Sequence, residues 1–341
     1  MKTEHILIMR FSAMGDVAMT VPIVSSLAQQ YPSVRFTVLS KPFARAFFEN
    51  LAPNVGFMGA DIKGEYRGMK GLNALYRRLS AKQFTAIADL HDTLRSKYLR
   101  MRFNLSRNRV EHINKHKCGR RKLISQHNKQ FLRQPTSFEN YAEVFRKLGY
   151  PIEVRFTSIF DDNSEPLLTK NTGEKWIGIA PFAAHLGKIY PLEKMERVIG
   201  MLCEKNPSYR LFLFGGGKNE NEKLGEWTAK FPQCTLVSSL VSGLREELRV
   251  MQQLDVMLSM DSANMHMASL TNTPVVSIWG ATHPYAGFMG WNQSESNAVQ
   301  VDMPCRPCSV YGKKACHRGD YACLNDIQPE AVAEKLLSLL S

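Results

Sequence analysis

No stretch of this 341-residue chain stays apolar for the about 20 residues that a membrane-spanning helix needs, so the sequence offers no membrane span. The patterns GxxxxGK[ST], GxGxxG and HExxH are missing too, which argues against a Walker-type ATPase, a standard dinucleotide enzyme and a zincin. There is no repeat of solenoid period and no low-complexity tract. The opening MKTEHILIMRF enters a strand within a few residues and leaves no room for a signal peptide, so residence in the cytoplasm is expected. Acid is scarce in one region above all. Between Arg95 and Arg133 stand thirteen Lys or Arg residues and one acid, Glu111. Isolated charges would make a solvated basic face, but a block this one-sided draws in polyanions: nucleic acid, anionic lipid or a phosphorylated glycan. Nucleic acid is disfavoured, because the block lacks the interleaved aromatics of a base-stacking platform.

What is present describes a globular chain, with 44% hydrophobic and 22% charged residues and a formal charge of +13. Its length suits two domains better than one core. Apolar runs at 5–9, 34–39, 84–90 and 109–113 read as strands, separated by helical patterns at 16–30, 41–50, 71–79 and 93–103. Pro22 falls early in the first helix and can kink it, and the stretch 54–71 reads as irregular. The helix at 93–103 carries Leu94, Tyr98 and Met101 on one face, and the helix at 137–148 is capped by Ser137. The polar stretch 161–175 reads as a linker. A second series follows, with strands at 176–181, 209–214, 234–237, 256–260 and 275–279, and a closing helix at 330–340. The expected division is 1–165, 166–325 and a terminal helix at 326–341. Two strand–helix series predict an α/β protein with two doubly wound Rossmann-like domains facing across a cleft.

The stretch that organises this reading is 255–282, DVMLSMDSANMHMASLTNTPVVSIWGAT. An apolar strand ends at Asp261, Ser262 sits where a helix N-cap sits, and a short helix from Ala263 carries His266 one turn in. Such a corner presents backbone N–H groups and a helix dipole at the carboxyl edge of a parallel sheet, where phosphates dock. The plain alternatives are that Asp261 only caps the helix and that His266 lies on the surface. Lys188, in the loop after the strand at 176–181, is a movable cation suited to a phosphate. Gly215 and Gly216 begin a glycine run that can lie against a nucleotide, and Glu220 follows just inside the next helix. On spacing alone Glu220 complements a helix dipole. In the first domain RFSAMGD puts Gly15 and Asp16 at a helix start, where Asp16 serves as a cap or as a general base, the cap being better supported by spacing.

These residues fall into blocks that resemble glycosyltransferase family 9, the ADP-heptose:lipopolysaccharide heptosyltransferases. ILIMRFSAMGDVAMTVPIVSSL is similar to the family's strand, Arg-x-Ser-x-x-Gly-Asp loop and helix. AIADLHDTLRSKYL, the segment with Lys188 and Pro191, MDSANMHMASLTNTPVVSIWGATHP, and the tail CRPCSVYGKKACHRGDYACLNDIQPE resemble further blocks in the same order. Where the family usually has Gly this chain has Ala263, which adds a methyl group beside the expected pyrophosphate. The resemblance implies a GT-B architecture, with a nucleotide sugar, ADP-heptose, bound by the second domain and a lipopolysaccharide core acceptor by the first. It implies Asp16 as base and Lys188 as the cation on the departing diphosphate. Asp261, Ser262, Ala263, His266, Gly215, Gly216 and Glu220 become donor-side candidates, and inverting transfer needs no metal or other cofactor. Arg95, Arg120, Arg121 and Lys122 are then the candidates that grip an anionic, lipid-linked glycan at the inner leaflet, which makes the expected location peripheral, on the cytoplasmic face of the inner membrane.

Cys305, Cys308, Cys316 and Cys323 stand at spacings that would suit a structural zinc knuckle. A reduced, packed cluster is the preferred reading. Two rivals remain for the activity: a nucleotide-sugar epimerase or hydrolase on the same architecture, and a non-catalytic binder of anionic glycolipid or nucleic acid.

Overall fold

The computed structural model describes residues 4–160 and 165–340. The first four residues of the expected linker, 161–164, lie outside the described residues. The chain divides into two compact units. Residues up to Lys115 together with Thr136–Ile159 form the first, and His116–Pro135 with the chain from Phe160 onward form the second.

In the first unit the strands β1 (His5–Met9), β2 (Arg35–Ser40), β3 (Val55–Gly59), β4 (Ala86–Asp89) and β5 (Arg109–His112) make a parallel sheet in the order β3-β2-β1-β4-β5. Its middle strands are near-continuous apolar runs because helices cover both faces. Met9 pairs with both Leu39 and Asp89, so the segments leaving β1 and β4 emerge side by side at one carboxyl edge. The strand order reverses between these two strands, which is where such sheets open for ligands.

The second unit repeats the plan with β6 (Lys175–Ala180), β7 (Tyr209–Leu213), β8 (Cys234–Leu236), β9 (Val256–Met260), β10 (Val275–Ile278) and β11 (Ala298–Val299). Their order is β11-β10-β9-β6-β7-β8, all parallel, and the reversal falls between β9 and β6. β9 and β10 are buried at every position. The helix Leu192–Lys205 presents Met195, Val198, Ile199 and Leu202 to this core at helical spacing. The terminal helix Pro329–Leu337 adds Val332, Ala333 and Leu336 to the same core.

Several elements differ from the expectation. The single helix at 16–30 is two, Met14–Ala18 and Val21–Gln30, because Pro22 cannot donate within a continuous helix and instead occupies the first turn of the second. Residues 55–59, expected to be irregular, form β3, an edge strand whose two glycines and short length weaken the local signal. The helix Ser137–Lys147 is capped by Thr136 rather than Ser137: the Thr136 hydroxyl accepts from Glu139 N–H at 3.1 Å, and Glu139 accepts from Thr136 N–H. The largest difference concerns 116–135, which precedes the linker yet belongs to the second unit. Within that unit the Lys129 ammonium donates to the carbonyls of Pro304, Arg306 and Pro307, Gln134 N–H donates to Tyr285 O, and Arg133 pairs with Glu295. Contacts over more than 150 residues leave no trace in local sequence.

Leu258, fully buried at the centre of β9, tests this core. Leu258→Ala should lower unfolding stability by about 2–5 kcal/mol, read as a fall in urea midpoint at unchanged slope.

Candidate active site

In the first unit the loop after β1 turns on charge. Arg10 is buried, and its guanidinium donates to Leu90 O at 2.6 Å and meets Asp16 Oδ2 at 2.7 Å. Asp16 Oδ2 also accepts from Ala13 N–H at 3.0 Å, so the carboxylate does close the start of the Met14–Ala18 helix. It does more than cap: a quarter of its side chain stays exposed at the carboxyl edge of the sheet, next to the segment that follows β4. The Tyr141 hydroxyl donates to the Asp16 carbonyl at 3.3 Å, which ties the loop to the helix Ser137–Lys147. In the neighbouring segment the fully buried Asp89 accepts from the N–H groups of His91 and Asp92 at 2.9 Å each and meets Arg100 at 3.3 Å. His91 stands between Ser12 and Thr93, its ring nitrogens 3.4 and 3.3 Å from their hydroxyls. Burial, then the positive charges of Arg10 and Lys115, push its pKa down to about 3. His91 is therefore a neutral hydrogen-bonding group at the edge of the Asp16 site.

In the second unit the two segments at the strand-order reversal meet directly. Lys188, from the turn after β6, pairs with Asp261 Oδ2 at 2.8 Å, and both side chains are largely buried. Thr282, from the segment after β10, donates to the same carboxylate at 2.8 Å. Ser262 stands at the N-cap of the helix Ala263–Leu270, but its hydroxyl bonds with Ser259 and not with the first turn. The positive end of that helix is thus not capped by the side chain placed to cap it. Ala263 is partly exposed there, and His266, one turn in, is buried rather than on the surface. Asp261 likewise does not cap this helix.

The glycine run after β7 divides by role. A Cβ at Gly215 would strike Leu224, whereas Gly216 faces open space and donates its N–H to Glu220 at 2.8 Å. Glu220 braces the turn that displays Gly216.

The sequence reading missed the residues that hold Lys188 in place. Gly187 and Gly280 let the segments after β6 and β10 approach until Ala281 N–H donates to Gly187 O at 2.8 Å. A Cβ on Gly280 would lie 2.7 Å from that carbonyl and 2.5 Å from Leu324. Gly312, at φ +74, lies against the Lys188 stem. Arg306 is buried and donates to the carbonyls of Trp279, Gly280, Thr282 and Val301 and to Gln300. It clamps the segment that carries Thr282. A glycine close behind β10 was the available signal for Gly280, whereas Gly187, seven residues past β6, and Arg306 had none.

The four acceptor candidates are not gathered in one unit. Arg95 is exposed on the helix Leu94–Leu105 of the first unit, whereas Arg120, Arg121 and Lys122 lie in the second. Arg120 is buried with its guanidinium 4.3 Å from the centre of the Phe288 ring, a packing role. Arg121 lines a cavity of about 310 Å³ with Ile124, Gln126, Lys314 and His317. The four tail cysteines line another small cavity around Arg306, and all are free thiols. Among the described residues no three His, Cys, Asp or Glu side chains are placed to hold a metal ion.

Two doubly wound parallel-sheet units with a cationic corner at the second sheet's carboxyl edge define a protein of GT-B form. Solved structures share this fold over almost the whole chain. E. coli heptosyltransferase WaaC with ADP covers 98% of this chain and 99% of its own at 18% identity and a TM-score of 0.71. The same enzyme with ADP-2-deoxy-2-fluoro heptose gives a TM-score of 0.68 at 18% identity, over 99% and 100% of the two chains. A lipooligosaccharide heptosyltransferase 2 from Campylobacter jejuni is 23% identical over 339 residues, 96% of each chain. The sequence model of glycosyltransferase family 9 (heptosyltransferase) matches residues 72–317, and the chain belongs to that family.

The neutral His91 gives the fold a pH dependence of definite sign. Above its ordinary pKa of 6.5 folded and unfolded states are both neutral there. As pH falls from 6.5 toward 3 the unfolded chain takes a proton that the folded site refuses, so stability drops. His91→Gln should make part of that loss disappear, seen as a smaller fall in urea midpoint on going from neutral to mildly acidic buffer.

Proposed function

We propose that the protein transfers heptose from ADP-heptose to a phosphorylated lipopolysaccharide core acceptor, with inversion at the sugar. The observation that carries this reading is the Lys188–Asp261–Thr282 cluster beside the N-terminus of the Ala263–Leu270 helix. A diphosphate entering there gives Lys188 a second anionic partner and meets the positive end of the helix. Both contacts strengthen as the sugar bond breaks and charge collects on the departing ADP. Asp261, held on one side by Lys188 and Thr282, is placed to orient sugar hydroxyls. The Gly216 turn, braced by Glu220, is the flat backbone against which the nucleoside lies, and His266 is a further donor-side residue.

Asp16 is the base in this scheme. It accepts the proton of the acceptor hydroxyl as that oxygen attacks the anomeric carbon from the face opposite ADP, which produces inversion. Arg10 fixes the carboxylate, and the neutral His91 leaves room for an uncharged sugar hydroxyl nearby. Arg95 in the first unit and Arg121 and Lys122 in the second supply cations for phosphate groups of the acceptor; the Arg121 cavity adds Lys314 and His317. The protein works at the cytoplasmic face of the membrane that carries its acceptor. The chemistry draws its positive charge from Lys188 and the helix end.

Asp16→Asn should cut kcat by about 10²–10⁴-fold while the thermal shift on adding ADP persists. Lys188→Ala should weaken ADP binding roughly 10- to 100-fold, as loss of a charge-assisted contact predicts. A larger thermal shift with UDP or GDP than with ADP would overturn the donor assignment. Donor consumption at full rate without acceptor would instead make the protein a hydrolase or epimerase. Full activity of Asp16→Asn would remove the base.

A further inference from the structure

The helix Leu94–Leu105 carries apolar residues on two opposite faces, and only one of them is used inside the protein. Its buried residues are Ser96, Leu99 and Phe103. Leu94, Met101 and Leu105, at steps of seven and four, form a second stripe only roughly 40° wide on the other side, while Tyr98 beside them packs on the core. Leu94 is 88% exposed, Leu105 75% and Met101 50%. Met69, on the adjoining helix Gly68–Ser80, is 57% exposed. Four of the most exposed large apolar side chains of the described chain thus belong to two neighbouring helices of one unit.

Those two helices are locked side by side. The Tyr98 hydroxyl and the Arg102 guanidinium both donate to Asn73 Oδ1. Arg102 lies 4.3 Å from the centre of the Tyr76 ring, and the Tyr76 hydroxyl bonds Ser106 Oγ at 2.6 Å. Tyr76 also packs edge-on against the buried Phe103 at 5.1 Å. The outward side chains therefore stand on a rigid platform, and their exposure follows from how the helices are anchored.

The two helices carry charge of one sign. Neither helix contains an acid, while they carry Lys70, Arg77, Arg78, Arg95, Lys97, Arg100 and Arg102 between them. Arg100 is engaged with Asp89 and Asp92, and Lys97, itself 47% exposed at the side chain, meets Asp92 at 3.5 Å. Around the helix Leu94–Leu105, Arg95 and Arg102 flank the apolar stripe on one side and Lys97 on the other. Short apolar side chains flanked by cations with long aliphatic stems suit one environment above others, the boundary between acyl chains and anionic headgroups. The apolar residues enter the acyl layer, and the cations stay level with the headgroup phosphates. A protein interface would carry acids to match its own cations or an aromatic anchor at its centre; neither helix has an acid, and Tyr98 is turned to the core and to Asn73.

We propose that Leu94, Met101, Leu105 and Met69 are a membrane-docking face that seats the first unit on an anionic lipid surface. The proposal rests on the reading above only in that a lipid-linked acceptor gives the docking a purpose. The contact is monotopic, and among the described residues no helix is long and apolar enough to cross a membrane.

The test is flotation of the full chain, without nucleotide or acceptor, on vesicles of equal parts phosphatidylcholine and phosphatidylglycerol, beside vesicles of phosphatidylcholine alone. The wild type should float with the anionic vesicles and far less with the neutral ones, and added salt should weaken the binding. The triple variant Leu94→Gln, Met101→Gln and Leu105→Gln should lose roughly tenfold or more of its partition onto anionic vesicles. Its positions are exposed, and an unchanged ADP thermal shift with an unchanged melting temperature confirms that it folds. Equal flotation of wild type and variant would overturn the proposal, as would failure of the wild type to float. A wild-type dimer that the variant dissolves in sedimentation, with no vesicle binding by either, would assign the face to a second copy of the chain and equally overturn it. Failure of heptose transfer leaves the flotation result standing, so the two readings fail separately.

Discussion

The ion pair between Lys188 and Asp261 is the constraint around which the second unit is built. Two opposite charges largely out of water stand only if each has its partner and the geometry is fixed. The structure fixes it by bringing three sheet-edge segments together. One turn delivers Lys188 through Gly187, the end of β9 delivers Asp261, and the segment after β10 delivers Thr282 through Gly280. Arg306 then holds the third segment by its carbonyls, although it touches neither charge. The position of the strand-order reversal makes this convergence available, because only there do neighbouring strands send their connections to opposite sides.

The first unit solves a different problem at its own reversal. A partly exposed aspartate stands next to a histidine that stays neutral, and one buried guanidinium bears on both. Arg10 stabilises the Asp16 carboxylate through its pair and raises the cost of a second positive charge on His91. Asp89, fully buried, spends its oxygens on the backbone of the His91 loop and on Arg100, and so shapes the loop. Acids of the same residue type therefore hold different positions: Asp89 is structural, while Asp16 keeps an accessible face.

The basic block between residues 95 and 133 resolves into several separate uses. Arg102 cements two helices, Arg120 stacks on Phe288, Lys129 is consumed by three carbonyls, and Arg133 pairs with Glu295. Of those still exposed, Arg95 and Lys97 flank the apolar stripe in the first unit and Arg121 lines a cavity in the second. Net charge counts the cations, and packing decides which of them stay free.

The sequence by itself determined the two alternating strand–helix series, the parallel sheets and the sheet-edge positions of Asp16, Lys188 and Asp261. Those features rest on local periodicity and on the rule that a residue just past a buried strand lies at the carboxyl edge. Only the tertiary structure decided the rest. Periodicity shows that a helix has an apolar stripe but not which way it points: Leu94 and Met101 face outward because Leu99 and Phe103 fill the core instead, with Tyr98 packed beside them. It placed 116–135 in the second unit and made Arg306 a clamp through bonds to carbonyl oxygens, which every residue carries and no sequence pattern marks. His266 came out buried for the same kind of reason, since the burial of a short helix depends on what packs over it from far along the chain.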